Sequence, residues 1–241
     1  MVTLVWEIKP AHTENLVVVL VVFQVILWSV AYSVSVSLGK MKYPNLYLSS
    51  AIDKDPSRAV ASILGPCVSV LFGLVLFIRS MLLSPLLVSR VQLRLWWMFN
   101  VSATILTLSI LTISSLPYSY VRVLHMTSAF GVFFSGFSIV VSALWLDYSL
   151  CLQTSLAVKC IRNALAICAC IGTFGFATLY FFLPLASAIL EITATVSMNL
   201  YIYTFIHRRD FFGNLATIQS ITKQSCSLAS TECTDKPLEF A

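Results

Sequence analysis

The sequence predicts an all-α integral membrane protein, a bundle of six transmembrane helices with both termini in the cytosol. Three observations carry this expectation. Hydrophobic residues make up 59% of the 241 positions and charged residues only 10%, with a mean hydropathy of +0.90, far from the composition of soluble domains. The apolar residues collect into six runs of about twenty residues or more, each long enough at about 1.5 Å per residue to cross a hydrocarbon core of about 30 Å. Lys and Arg crowd into alternate connectors, as cytosolic anchors do.

Residues 1–14 carry Glu7, Lys9 and Glu14 and form a short cytosolic N-terminus. The first run, Asn15 to Leu38, is broken only by Gln24. Its many Val, Ile and Phe residues would argue for strands in a soluble chain, but 24 consecutive residues exceed any ordinary strand. A helix satisfies every backbone group within the segment, as lipid demands, and nothing in the chain shows the alternation of a membrane barrel. A cleaved signal peptide would have a shorter apolar core and a small-residue cleavage site, so this run is expected as an uncleaved span. Ala59 to Ile78, Leu95 to Leu116, Val121 to Leu146 and Ala164 to Leu183 follow, and Leu185 to Ile206 closes the transmembrane domain, residues 15–206. The fifth and sixth runs meet at Pro184, so their hairpin is drawn from Tyr180 to Ser187.

Orientation follows from the basic residues. One set of connectors holds Lys9, Arg79, Arg90, Arg94, Lys159, Arg162, Arg208, Arg209, Lys223 and Lys236, and the other only Lys40, Lys42, Lys54, Arg58 and Arg122. The richer set is assigned to the cytosol. The net charge of +5 is thereby explained without nucleic acid. The outer or luminal loop, residues 39–58, has mixed charge and two prolines and reads as a solvated connector before any resemblance is considered. The cytosolic tail, residues 207–241, begins with Phe211, Phe212, Leu215, Ile218 and Ile221 on one broad face, which suits a helix over 207–222 lying on the membrane surface. The remainder, Ser225 to Ala241, is polar and expected to be disordered.

Several chemistries are disfavoured. The seven cysteines are scattered by the topology and give no luminal pair, so no disulfide framework is expected. Cys151 and Cys160, beside the membrane on the cytosolic side, are candidate palmitoylation sites. His12 and His207 fall on one side of the membrane and His125 near the other, so they do not converge on a metal. No Ser-His-Asp set or phosphate-cradling glycine loop is present, and no cofactor is implied. The sequon Asn100-Val101-Ser102 falls at the cytosolic end of the third span and is expected to be unmodified. Polar residues within spans, including Gln24, Ser102, Thr104, Ser135, Thr195 and Asn199, are expected chiefly as interhelical hydrogen-bonding partners. Gly131 with Ser135, and Gly172 with Phe176, give only an uneven small-residue packing signal.

Glu191 stands apart because a carboxylate within a span costs roughly 2.5 to 3.5 kcal/mol to insert at the helix centre. The fourth and sixth spans both enter from the outer side, at Val121 and Leu185, which places His125 and Glu191 about 6 and 9 Å below their entry points. At matching depth they form either structural glue between helices or a site for a lipid headgroup or a proton.

With these features in view, the chain resembles the damage-regulated autophagy modulator (DRAM) family, within the superfamily of FRAG and CWH-type membrane proteins. Tyr43-Pro44, Ser49 and Pro56-Ser57-Arg58 resemble that family's outer-loop elements, His125-Met126-Thr127-Ser128-Ala129 with Phe133 and Gly136 its fourth-span segment, and Glu191 with Thr204-Phe205-Ile206 and Arg209-Asp210-Phe211 its closing helix. The chain departs from the pattern at Ala51 and Ile192, where the family tends to have Gly and Trp, in two extra residues before Asp210, and in its minimal connector between the last two spans.

The resemblance implies a non-enzymatic membrane protein that regulates autophagy, lysosomal function or membrane lipid organisation. The alternative it implies is a factor or enzyme of GPI-anchor lipid remodelling, working at the outer leaflet through Glu191 and His125. Tyr43, Pro44, Ser49, Pro56, Arg58, His125 and Glu191 are the candidate lipid- or partner-binding residues. Membrane lipids and a cytosolic protein at the C-terminal tail are the expected partners, without nucleic acid, and the expected location is an endomembrane of lysosome, Golgi or ER, or the plasma membrane. A transporter would call for broken helices and inverted repeats, which the sequence lacks.

Overall fold

The computed structural model describes residues 10–41, 47–116, 121–150 and 155–206. These are all helical in their regular parts: α1 (Pro10–Ser37), the short α2 (Leu48–Ala51), α3 (Ser57–Leu83), α4 (Arg90–Ser115), α5 (Arg122–Ser149), α6 (Leu156–Leu179) and α7 (Pro184–Tyr203), with 3-10 turns at Ser84–Leu86 and Thr204–Ile206. Six of the helices are long and apolar enough to cross a membrane, matching the six predicted runs. Large apolar side chains such as Ile63, Phe77, Trp145 and Ile167 remain more than half exposed on the outside of the bundle, where a soluble protein would place polar groups and lipid would cover these. The chain is an integral membrane protein.

Helix ends are set by local chemistry. Gly39 adopts φ +63, and its N–H donates to Val36 O while Lys40 N–H donates to Ser35 O, the left-handed cap that stops α1. Ser89 and Gln92 exchange side-chain and backbone hydrogen bonds in a capping box that starts α4. Ser155 caps α6 by accepting from Val158 N–H. Only residues 180–183 separate α6 from α7, so the hairpin uses the first half of the expected stretch and Pro184 opens the last span.

Each long helix packs mainly on its neighbours in sequence, α1 on α3, α3 on α4, α4 on α5 and α6 on α7, with α5 also reaching α6 and α7. The ring closes between the first and last spans, where Gln24 donates to Asn199 at 3.3 Å and accepts from the Tyr203 hydroxyl. Ser102 and Ser138 join α4 to α5 at 2.8 Å. Three of the hydroxyls expected to bridge helices do not: those of Thr104, Ser135 and Thr195 donate to carbonyls four residues back in their own helix. A hydroxyl one turn from a carbonyl satisfies itself in lipid without a neighbour. Gly172 lets α6 and α7 touch, since a Cβ there would stand 2.6 Å from Ala194 N.

Two expectations are corrected. Residues 47–52 do not form a solvated connector: Tyr47, Ala51 and Ile52 are buried, because α2 folds back over the bundle. Arg79 and Arg162, counted among the exposed cytosolic anchors, lie within α3 and α6 with side chains 3% and 2% exposed. Helical structure carries α3 past Ile78 and begins α6 before Ala164, and a partner carboxylate makes the buried charges tolerable.

Candidate functional site

The bundle has two polar ends. At the first, α2 is pinned between distant parts of the chain. The Glu191 carboxylate accepts the N–H of Leu48 at 2.8 Å, and Ser49 adds its own N–H and hydroxyl. These are the N–H groups that no residue within a helix can satisfy, and negative charge is favoured beside them. At the other end of α2, Ser35 of α1 donates to Ala51 O at 2.6 Å and lies 2.8 Å from the Ser57 hydroxyl. Having spent its one proton on Ala51, Ser35 receives that of Ser57. The buried Glu191 is thus held by α2, and α2 by Glu191.

The expected depth match between His125 and Glu191 has a geometric counterpart. Both are almost fully buried, and both line one cavity of about 250 Å³ together with Tyr47, Ser49, Ser50, Asp53, Met126, Ala129, Phe176 and Tyr180. His125 Nδ1 lies 3.0 Å from Leu116 O, which fixes the ring beside the start of α5. Tyr47, Phe176 and Tyr180 form a mutual aromatic cluster with centroid separations of 5.6 to 6.5 Å. Behind Glu191 lies a smaller, apolar cavity of about 90 Å³, lined by Leu27, Trp28, Ala129, Phe133 and others. The carboxylate therefore stands between a polar void and an apolar one.

Of the predicted site residues, Ser49, His125 and Glu191 come together around this cavity. Pro56 caps α3, Arg58 lies in its first turn, and neither is among the lining residues. Tyr43 and Pro44 lie outside the described residues, as do Cys151, the segment 207–222 and the rest of the tail. Cys160 is exposed on α6. Tyr47, Asp53, Phe176 and Tyr180 were not among the predicted site residues; isolated aromatic residues near helix ends read as interfacial anchors, and Asp53 as one charge of a mixed loop.

The second polar end was also missed. Asp147 of α5 bridges Arg79 of α3 at 2.5 Å and Arg162 of α6 at 3.0 Å. Arg162 further donates to the Thr204 hydroxyl at 2.9 Å and to its carbonyl at 2.8 Å. The Phe205 ring lies under both guanidinium groups, at 4.9 and 5.9 Å, so its face adds to what holds their charge. A clue was present: Asp147 is the only acidic residue between Asp55 and Glu191.

Residues 14–211 match the Frag1/DRAM/Sfk1/Cwh43P N-terminal domain. The chain belongs to this family. No curated protein and no solved structure matches it. In this member of the Frag1/DRAM/Sfk1/Cwh43 family, the match runs from the start of the first span to just past the last. It takes in both polar ends, including Thr204 and Phe205, whose role beneath the arginines gives that short motif a physical basis.

Proposed function

We propose that this protein is a non-enzymatic, DRAM-like regulator that acts by binding a membrane-lipid headgroup at its outer or luminal face, and through it influences lipid organisation and autophagy in an endomembrane or the plasma membrane. The cavity of about 250 Å³ under α2 carries this reading, because it joins the loop to α5, α6 and α7 through groups able to bind a polar ligand. A headgroup seated there would stiffen or loosen α2 and so present a changed surface to partners. The test is labelling of the full-length protein in cells by photoactivatable phospholipids, read by mass spectrometry. Labelled peptides from 47–53 or 122–130 support the reading, and labelling confined to the outer surface of the bundle overturns it.

A second reading, GPI-anchor lipid remodelling, draws on the imidazole and carboxylate that share the cavity, since such a pair suits proton transfer. Glu191→Gln and His125→Ala decide between them. Loss of GPI-anchor lipid exchange at normal expression and location favours the remodelling role; a change in autophagic flux alone favours the regulator.

A further inference from the structure

We infer that the bundle takes up a stretch of a phospholipid acyl chain in the apolar space behind Glu191, entering from the bilayer through the seam between α1 and α7. This goes beyond the headgroup reading, which concerns the polar cavity on the other side of Glu191, and it stands or falls separately. The apolar cavity of about 90 Å³ is continued toward the arginine end by another of about 80 Å³. Leu27, Trp28, Ile110, Val132, Phe133 and Thr195 line both, so the two adjoin along one interior wall.

Together they run from α2, whose Leu48 and Ser49 line the first, to Gln24 and Asn199, which line the second. From Glu191 to Asn199 is about 12 Å along α7. That is less than half of a hydrocarbon core of about 30 Å, so the space stays inside one leaflet. The seam is the way in. Among the described residues, α1 packs along α3, and the side-chain hydrogen bonds that tie it to the last span are those of Gln24 with Asn199 and Tyr203, at the far end of this space. Nearer α2, Trp28 and Thr195 line both cavities yet are only half-buried, and Val25 and Val196 beside them are exposed on the lipid-facing surface.

The chemistry of the wall fixes the occupant. Its polar residues are engaged elsewhere, Gln24 with Asn199 and Tyr203, and Thr195 and Ser114 with carbonyls of their own helices, so the surface left for a guest is apolar. An apolar cavity stays dry and takes an apolar guest, and its lining forfeits dispersion contacts while nothing fills it. In a bilayer the apolar matter at hand is acyl chain and sterol. Each cavity is smaller than the one of about 150 Å³ that admits a benzene ring, so fused rings do not pass where a flexible linear chain does.

The experiment uses the full chain in nanodiscs doped with phosphatidylcholine that carries a diazirine midway along one acyl chain, with labelled residues located by tandem mass spectrometry. We expect label on the buried Leu27, Phe133 and Met198 as well as on the lipid-exposed Val25, Phe134 and Leu200 of the same helices. Thr195→Phe and Ile110→Phe fill the space from different walls, and each should lower labelling of the buried set about tenfold while leaving the exposed set unchanged. An unchanged exposed set and a parent-like size-exclusion profile establish that a variant folds, and either variant suffices. Label confined to the exposed set in the parent overturns the proposal, as does buried-set label that persists undiminished in a folded variant. Buried-set label from a diazirine sterol or a diazirine fatty acid in the same nanodiscs, without such label from the phospholipid, overturns the phospholipid assignment in favour of that source. Labelling of 47–53 is read in the same spectra and bears only on the headgroup reading.

Discussion

Asp147 holds two buried guanidinium groups inside the bundle. Removing one partner of a buried ion pair typically costs about 3 to 5 kcal/mol, because the remaining charge stays desolvated. Asp147→Asn should therefore lower the thermal midpoint of the detergent-purified protein sharply, with a loss in that range, while Asp147→Glu should retain much of the stability. Glu191 poses a different case, because its partners are uncharged: the backbone N–H groups of Leu48 and Ser49 and the Ser49 hydroxyl. Glu191→Gln keeps an acceptor for Leu48 and should cost little, whereas Glu191→Ala leaves the Leu48 N–H without its acceptor and should cost about 1 to 3 kcal/mol. Hydrogen exchange at Leu48 and Ser49 reads the difference directly, as faster exchange in the Ala variant than in the Gln variant. Glu191 was conspicuous in the sequence because it interrupts an apolar run. Arg79 and Arg162 were not, because a basic residue at the edge of a span looks like an anchor whether it turns outward or inward.

Among the elements, α2 and the α6–α7 pair show how short-range pattern and long-range contact differ in legibility. The six long helices were visible because apolar length alone specifies them. The four-residue α2 was not, since its formation depends on Ser35 and Glu191, both remote from it in sequence. Ser35→Ala should release the C-terminal end of α2 and leave Ala51 O and the Ser57 hydroxyl without that partner, so exchange across residues 48–57 should accelerate while the spans stay protected. For α6 and α7 the signal at Gly172 was discounted because Phe176 stands where a second small residue would. The needed small partner is Ala194, on the other helix. Gly172→Ala should push the two helices apart and cost about 1 to 3 kcal/mol, measured as a lower thermal midpoint with unchanged helical content.

At the scale of the whole molecule, the six spans place residues 10 and 206 at ends of an even number of crossings. Epitope tags at the two termini should accordingly be accessible together only after the plasma membrane is permeabilised, with the inner membranes left intact. One tag accessible before permeabilisation would contradict the excess of basic residues in alternate connectors. The two polar ends divide labour in this architecture. The arginine end locks α3, α5, α6 and the end of α7 to one another with charges and an aromatic ring, a rigid base. The α2 end has hydrogen bonds to a loop and a cavity, contacts that open at smaller energetic cost than a packed core.

The bond from Leu48 to Glu191 spans 143 positions of chain, and that separation has a meaning in time. The ribosome makes Leu48 well before Glu191, and domains assemble from the N-terminal side as they emerge. Through the insertion of four further spans, the loop waits without its acceptor. Its closure thus waits for the last helix, so a nascent chain cut short before α7 would lack the acceptor for the Leu48 N–H.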